Sequence, residues 1–327
     1  MKLGVVIPYF QSEGGILANA IASIIAQNLP NNITVVIVVV DDDSPVPATD
    51  DLQGIVLPAR FSCEIVLQEN GGPGAARNRA LDVLERKSVD WVAFIDSDDV
   101  WKADHLSVAL AALGDDGDFY FCDHTRFDIA ATYFGNREFA DALHGAPLVS
   151  STSTVAEAIR EWDGASAASN FCKHYLCQTS TIVARWQAIG QLRFDTELKS
   201  AGEDALFWID CAMQSRTVRF SMVQHVHCGR GINIYNGDFG WNTIRGRDRF
   251  GYLMLLYIKI AKRRPRCSIS SQKVEMAYAY LSVRSLFRGQ MPNRALFRSL
   301  LRASPAAVAR LPLRLLQYAM MRRQIDW

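Results

Sequence analysis

"DWVAFIDSDDVW", residues 90 to 101, places an unbroken apolar run directly before a cluster of acids. The apolar half reads as a strand buried on both faces. The polar half sets Asp96, Asp98 and Asp99 within four positions. A buried, unpaired carboxylate is costly, and three together repel one another. A positive partner is therefore expected. A hard divalent cation, Mg²⁺ or Mn²⁺, takes carboxylate oxygens and leaves positions open for phosphates. The local alternative is helix capping, with Asp99 or Asp104 at the start of a helix near Asp104.

The flanking sequence bears on that choice. "KLGVVIPYF" (2–10), "NITVVIVVV" (32–40) and "EIVLQ" (64–68) read as further strands, rich in β-branched residues. Between the first two, Ile16, Leu17, Ala20, Ile21, Ile24 and Ile25 recur at helical spacing. "GGPGAARNRALDVLER" (71–86) reads as a glycine turn opening a helix. Alternating strands and helices predict an α/β fold with a mostly parallel, doubly wound sheet. Such sheets bind ligands beyond the carboxyl ends of their strands. That rule gathers Asp41-Asp42-Asp43-Ser44, Asn70-Gly71-Gly72 and the 96–99 acids on one edge, which favours the cation over the cap.

Further along, "DFYFCD" (118–123) and "TVRFSMVQHVH" (217–227) read as strands, and "GEDALFWIDCAMQS" (202–215) as a helix opening with two acids. Residues 124–170 are rich in Ala, Ser, Thr and Gly, with a helix expected from Thr154 to Trp162. After Trp241 the chain reads as helices separated by Pro265, Pro292, Pro305 and Pro312.

Composition adds an asymmetry. The 327 residues are 49% hydrophobic, enough for one large core with a helical appendage. From Lys259 to Trp327 there are 15 Lys and Arg against 2 Asp and Glu, a net charge of +13; the preceding 258 residues carry 20 against 32, a net −12. An acidic body suits cations; a basic tail suits phosphates, a membrane surface or another chain, or merely solvates helix faces. The amphipathic segment 293–324 fits an anionic bilayer surface or packing against the body or a second subunit. The longest apolar stretch there, 252–261, is too short to span a bilayer. Seven scattered cysteines include no C-x-x-C pair, and Cys172, His174 and Cys177 lack a second half with zinc spacing, so reduced thiols are expected. Met1-Lys2 runs straight into a strand, with no secretory signal expected. These readings place the chain in the cytoplasm, with possible peripheral contact at the inner face of the membrane.

"VVIPYF", "VVVDDDS", "ENGGPGAARNRAL", "FIDSDDVW" and a later "GED" occur in order at suitable spacings. This set resembles glycosyltransferase family 2, the inverting family with the GT-A fold, over about residues 1–232. The opening "IPYFQSEGGILANAIASIIAQ" also looks like bacterial enzymes that add glucose during assembly of succinoglycan-type exopolysaccharide. The resemblance implies a GT-A domain over 1–240, with a nucleotide part to about 123 and an acceptor part beyond, followed by a basic helical region at 241–327. It implies Asp41 and Asp42 at the nucleotide base, with Asp42 accepting from uracil and Pro8 beside them. Asp43 stands where many relatives have Gly. Arg77 lies by the nucleotide, either touching it or paired with an acid nearby. Asp96 approaches the ribose. Asp98 ligates Mn²⁺ or Mg²⁺, with His227 a further candidate ligand, ahead of His225; Arg230 could reach the diphosphate. Asp204 is the expected general base and Glu203 its neighbour orienting the acceptor; by themselves both are also favourable first-turn acids. No Q-x-x-R-W signature is found, which implies a non-processive enzyme adding one sugar. The implied donor is a UDP-sugar, UDP-glucose, and the acceptor a glycan or polyprenyl-diphosphate-linked oligosaccharide.

Three other classes compete. A nucleotidyltransferase would need a basic residue in the loop after the first strand, and "PYFQSEGG" has none. A non-catalytic nucleotide-sugar-binding module would have lost the acids retained here. Nucleic-acid binding is not expected, because the body is acidic and no recognition motif is present.

Overall fold

The β-branched runs form strands because both of their faces find apolar cover. Residues 1–127, 131–149, 158–199, 201–229, 243–263 and 270–321 are described by the computed structural model. The chain divides into two units, Met1–Phe194 with Phe207–Ile232, and Asp195–Leu206 with Asn233–Trp327.

The first unit opens as β1 (Lys2–Tyr9), α1 (Ile16–Ile25), β2 (Thr34–Asp41), α2 (Ala48–Asp51), β3 (Phe61–Leu67), α3 (Pro73–Lys87) and β4 (Trp91–Phe94). It continues as β5 (Val100–Trp101), α4 (His105–Leu113), β6 (Phe119–Arg126), α5 (Arg137–His144), β7 (Ile159–Asp163), α6 (Gly164–Lys173), β8 (Val183–Arg185) and α7 (Trp186–Ile189). Helix α8 (Glu203–Gln214) starts in the second unit and ends in the first, and β9 (Thr217–Cys228) follows. The strands form one sheet in the order β3-β2-β1-β4-β8-β6-β9-β5, with β7 also on β9. Strands β1 to β4 pair in parallel; β8, β5 and β7 run against their neighbours. This is the mostly parallel α/β sheet expected.

Leu3, Val5 and Ile7 of β1 and Ile37 and Val39 of β2 share a core with Leu17, Ala20, Ile21 and Ile24 of α1. Their strand neighbours Val6, Val38 and Val40 are just as buried on the other face. Each such side chain contributes roughly 1.5–3 kcal/mol on burial, and two covered faces explain why these strands show no polar alternation. Below β4, Phe94 meets the Trp208 ring edge-on at 5.1 Å, and Phe194 stacks on Phe207 at 3.8 Å.

The helix expected from Thr154 to Trp162 is not found where that segment is described. Ile159–Asp163 is the strand β7, antiparallel to β9, and residues 154–157 lie outside the described residues. Long-range pairing outweighs local preference here: Trp162 packs 4.5 Å from Phe220 of β9.

The second unit holds α9 (Ile244–Arg263), α10 (Gln272–Phe287), α11 (Arg294–Ala303), α12 (Pro305–Ala309) and α13 (Leu311–Met321). Three of the four prolines fall at or near helix starts, and Pro265 lies outside the described residues. Pro292 precedes α11, Pro305 opens α12, and Pro312 is the second residue of α13. Asn293 and Ser304 cap α11 and α12 through the amides of Leu296 and Ala307. Within this unit, Lys259 bridges Asp195 and Glu197 at 2.6 and 2.7 Å. No helix among the described residues is long and apolar enough to cross a membrane.

Candidate active site at the carboxyl edge of the sheet

Strand register brings the polar turns together. Tyr9 pairs with Asp41, Asp41 with Leu67, and Val6 with Phe94. Pro8, opposite Val40, sits one residue inside this edge.

The two aspartates that end β2 are both buried, and both hold backbone amides. Asp41 accepts from Ser44 and Ala48, each at 2.8 Å. Asp42 accepts from Gly71 and Gly72 at 2.8 Å and from the Gln68 side chain at 2.7 Å, while Asn70 donates to its carbonyl at 2.9 Å. Asp42 thus ties the turn after β2 to the turn that opens α3. Gly72 takes φ +86° there, a left-handed conformation that costs glycine little. Asp43 is exposed and adopts φ +64°. The turn therefore keeps the conformation that glycine favours, with an aspartate accepting the strain.

The acids of the opening motif take three different environments. Asp96 pairs with Arg77 at 2.7 Å, and its amide donates to Ser180 Oγ at 2.9 Å. Arg77 is buried on α3 and lies 5.4 Å over the Phe194 ring. Of the two alternatives for Arg77, the ion pair with a nearby acid is present. Asp98 is pushed up to about 6 by burial and then by Asp96. Asp99 is 2% exposed and is pushed well above the usual carboxylate range by burial, Asp98 and Asp96. It accepts from Ser180 Oγ at 2.5 Å, Gln178 Nε2 at 3.0 Å and the Gly229 amide at 2.8 Å. Asp99 therefore clasps two distant chain segments and does not cap α4. Asp104 occupies the cap position of α4 without a side-chain cap bond; its carboxylate instead lies 3.0 Å from His225 Nδ1.

The end of β9 completes this edge. His227 is exposed, opposite Val100 of β5, with Nδ1 2.8 Å from Thr125 Oγ1. His225 is buried on Asp104, so the two histidines serve different neighbours. Gly229 lies so close that an added Cβ would stand 1.9 Å from the Asp98 carbonyl oxygen. Only glycine admits this approach. Arg230 lies outside the described residues.

Glu203 and Asp204 open α8 in the second unit. Glu203 is buried, and Asp204 is half-buried with Oδ1 accepting from Ala205 at 2.7 Å. Both stand at a helix N-terminus, where negative charge is favoured.

Gln178, Ser180, Phe194 and Gly229 were not among the expected site residues. Gly229 had a signal, in the close spacing of histidine and glycine after β9. Gln178 and Ser180 had none, because they reach the acids from a loop distant in sequence.

A hard cation fits this donor set. Asp98 and Asp96 offer carboxylates, and burial with Asp96 nearby raises Asp98, which a bound cation would offset. Among the described residues no three His, Cys, Asp or Glu side chains converge to hold a metal alone. Phosphate and water oxygens would fill the remaining positions, as is usual for Mg²⁺.

Comparison with known proteins agrees with this geometry. The model of glycosyl transferase family 2 matches residues 4–154. The succinoglycan biosynthesis protein ExoW of Rhizobium meliloti (strain 1021) is 36% identical over 242 residues, covering 72% of this chain and 71% of ExoW. Crystal structures of S. aureus TarS 1–349 share the fold. The complex with UDP matches at TM-score 0.55 and 19% identity, and that with UDP-GlcNAc at 0.56 and 18%; each match covers 98% of this chain and 87% of TarS 1–349. An α/β sheet with its acids gathered on one edge, the family match and ExoW's similarity over most of both chains together show that this chain is a glycosyltransferase and belongs to family 2.

Proposed function

We propose that the chain transfers a single sugar, glucose from UDP-glucose, to a hydroxyl of a lipid-linked oligosaccharide during bacterial exopolysaccharide assembly, with inversion at the anomeric carbon. The observation that carries this reading is the placement of Asp96, paired with Arg77, and of Asp98 on the sheet edge where the turns after β1, β2, β3 and β4 meet. The exopolysaccharide context is supported by ExoW, and UDP by the TarS complexes.

In this reading the base rests at the turn tied together by Asp42, whose buried carboxylate already holds three donors and keeps that turn shaped. Arg77 holds Asp96 in place through one carboxylate oxygen, which leaves the second for the ribose. Asp98, with His227 as a further candidate, would hold Mn²⁺ or Mg²⁺, which when bound neutralises charge on the departing diphosphate. Asp204 accepts the proton of the acceptor hydroxyl as its oxygen attacks the anomeric carbon. The bond from that carbon to the phosphate oxygen breaks on the opposite face, so an α-linked donor yields a β-linkage. Glu203 orients the acceptor.

Two variants test this. Asp98→Asn should lower Mn²⁺-dependent UDP release by at least about a hundredfold. Asp204→Asn should lower kcat roughly 10²–10⁴-fold while UDP-sugar affinity, measured by calorimetry, stays within about twofold. Turnover retained in the Asp204 variant would remove it as the base.

A further inference from the structure

We infer that the outward side of α13 is a docking surface for an anionic lipid bilayer. A surface helix normally turns its apolar stripe inward. Helix α13 carries apolar residues on its outward side as well. Leu313, Leu316 and Met320 recur on one stripe and are 52, 62 and 77% exposed. Its inward side, with Leu311 and Leu315 half-buried and Tyr318 buried, is fixed by an ion pair and a ring stack. Arg314 Nε lies 2.7 Å from a carboxylate oxygen of Glu275, which is 1% exposed, and Tyr318 stacks on Tyr280 at 4.3 Å. Rolling the helix to bury the outward stripe would strand the buried Glu275 without its guanidinium, which is strongly unfavourable. Helix α11 repeats the pattern: Phe297 and Leu301, one turn apart, are 42 and 45% exposed, with Arg298 exposed between them.

Charge selects the occupant. Residues 259–327 carry a net +13, and Glu275, one of the two acids, is buried in an ion pair. Two copies meeting through this face would bring like charges together, whereas anionic headgroups complement it. Apolar residues beside arginines on short helices suit seating in the headgroup region, and no described helix can span the bilayer. Bilayer binding needs no turnover, so it is separable from the sugar-transfer reading.

The test is co-sedimentation of the full chain with sucrose-loaded vesicles, either phosphatidylcholine alone or phosphatidylcholine and phosphatidylglycerol in equal amounts. The native chain should pellet with the mixed vesicles at low salt and remain mostly in the supernatant with the neutral ones. Combined Leu313→Gln, Leu316→Gln and Met320→Gln should weaken binding roughly tenfold or more, with the Tm unchanged because these side chains are exposed. Arg294→Glu with Arg298→Glu, which leaves that stripe intact, should also weaken it. Equal pelleting with both vesicle types, no pelleting with either, or native-like binding by the triple variant would overturn the proposal. So would a native dimer in light scattering that the triple variant converts to monomer, since a second copy would then cover the stripe.

Discussion

Asp98 keeps its proton to about pH 6 in the folded chain, against 3.8 for the free group. A carboxylate raised in this way binds its proton more tightly folded than unfolded. Its contribution to stability is complete below about pH 4 and is lost as the pH rises through about 6, an effect of about 3 kcal/mol. If Asp98 holds Mn²⁺ as proposed, the ion competes with that proton. Addition of Mn²⁺ should therefore raise Tm markedly at about pH 7.5 and much less at about pH 5, below the folded pKa. Asp98→Asn should abolish the Mn²⁺ response and raise the Tm of the metal-free protein at the higher pH; a Tm that falls would mean that neither burial nor repulsion from Asp96 lifts Asp98. The gathering of Asp96 and Asp98 with the turns after β1, β2 and β3 was legible, because the apolar strands set the edge on which those turns lie, whereas "DSDD" by itself also suits a helix cap. The role of Asp99 was not legible. Its partners, Gln178, Ser180 and Gly229, come from two loops far away in sequence, and nothing in "DSDD" distinguishes a clasp from a ligand.

At the level of elements, the turn between β4 and β5 is held by contacts to the loop before β8 and to the end of β9. Asp99→Ala would leave the Gly229 amide, Ser180 hydroxyl and Gln178 amide without their acceptor, and should cost about 1–3 kcal/mol in chemical denaturation. Gly229→Ala should displace the Asp98 backbone and reduce turnover more than stability, because its clash is with the motif itself. In the second unit, Glu275→Ala should destabilise α10 and α13 by roughly 3–5 kcal/mol through the orphaned Arg314, read as loss of helical ellipticity at lower denaturant. The strands β1 to β4 were legible from their apolar, β-branched runs, α1 from apolar residues recurring at three and four, and α3 from the glycine turn that opens it; the short α2 was not read. Strand β7 was misread: Ile159 and Trp162 are three apart, a helical spacing, and only the partner strand β9 makes them extended. The exposed stripe of α13 was legible as amphipathicity but not in its direction, since periodicity does not say which face turns inward.

For the molecule as a whole, charge separates along the chain, with −12 before Lys259 and +13 after it. Donor binding to the acidic unit should be read with divalent cation present, and a panel of UDP- and GDP-sugars with Mn²⁺ should give its largest Tm gain with UDP-glucose, near 3 kcal/mol at a hundredfold excess over Kd. A larger gain with a GDP-sugar would reassign the donor. The two-unit division was only partly legible: a basic helical region was expected after 241, but the stretch Asp195–Leu206 joins it from the middle of the chain. Discontinuous membership leaves no composition shift to read. The knot around Asp42 has one more consequence. Because its amide partners are already fixed before any nucleotide arrives, the loops at that corner have little freedom left to surrender. Calorimetry with uridine should show a modest entropic penalty and an affinity nearly independent of osmolyte, the signature of a rigid mould and not of a closing hand.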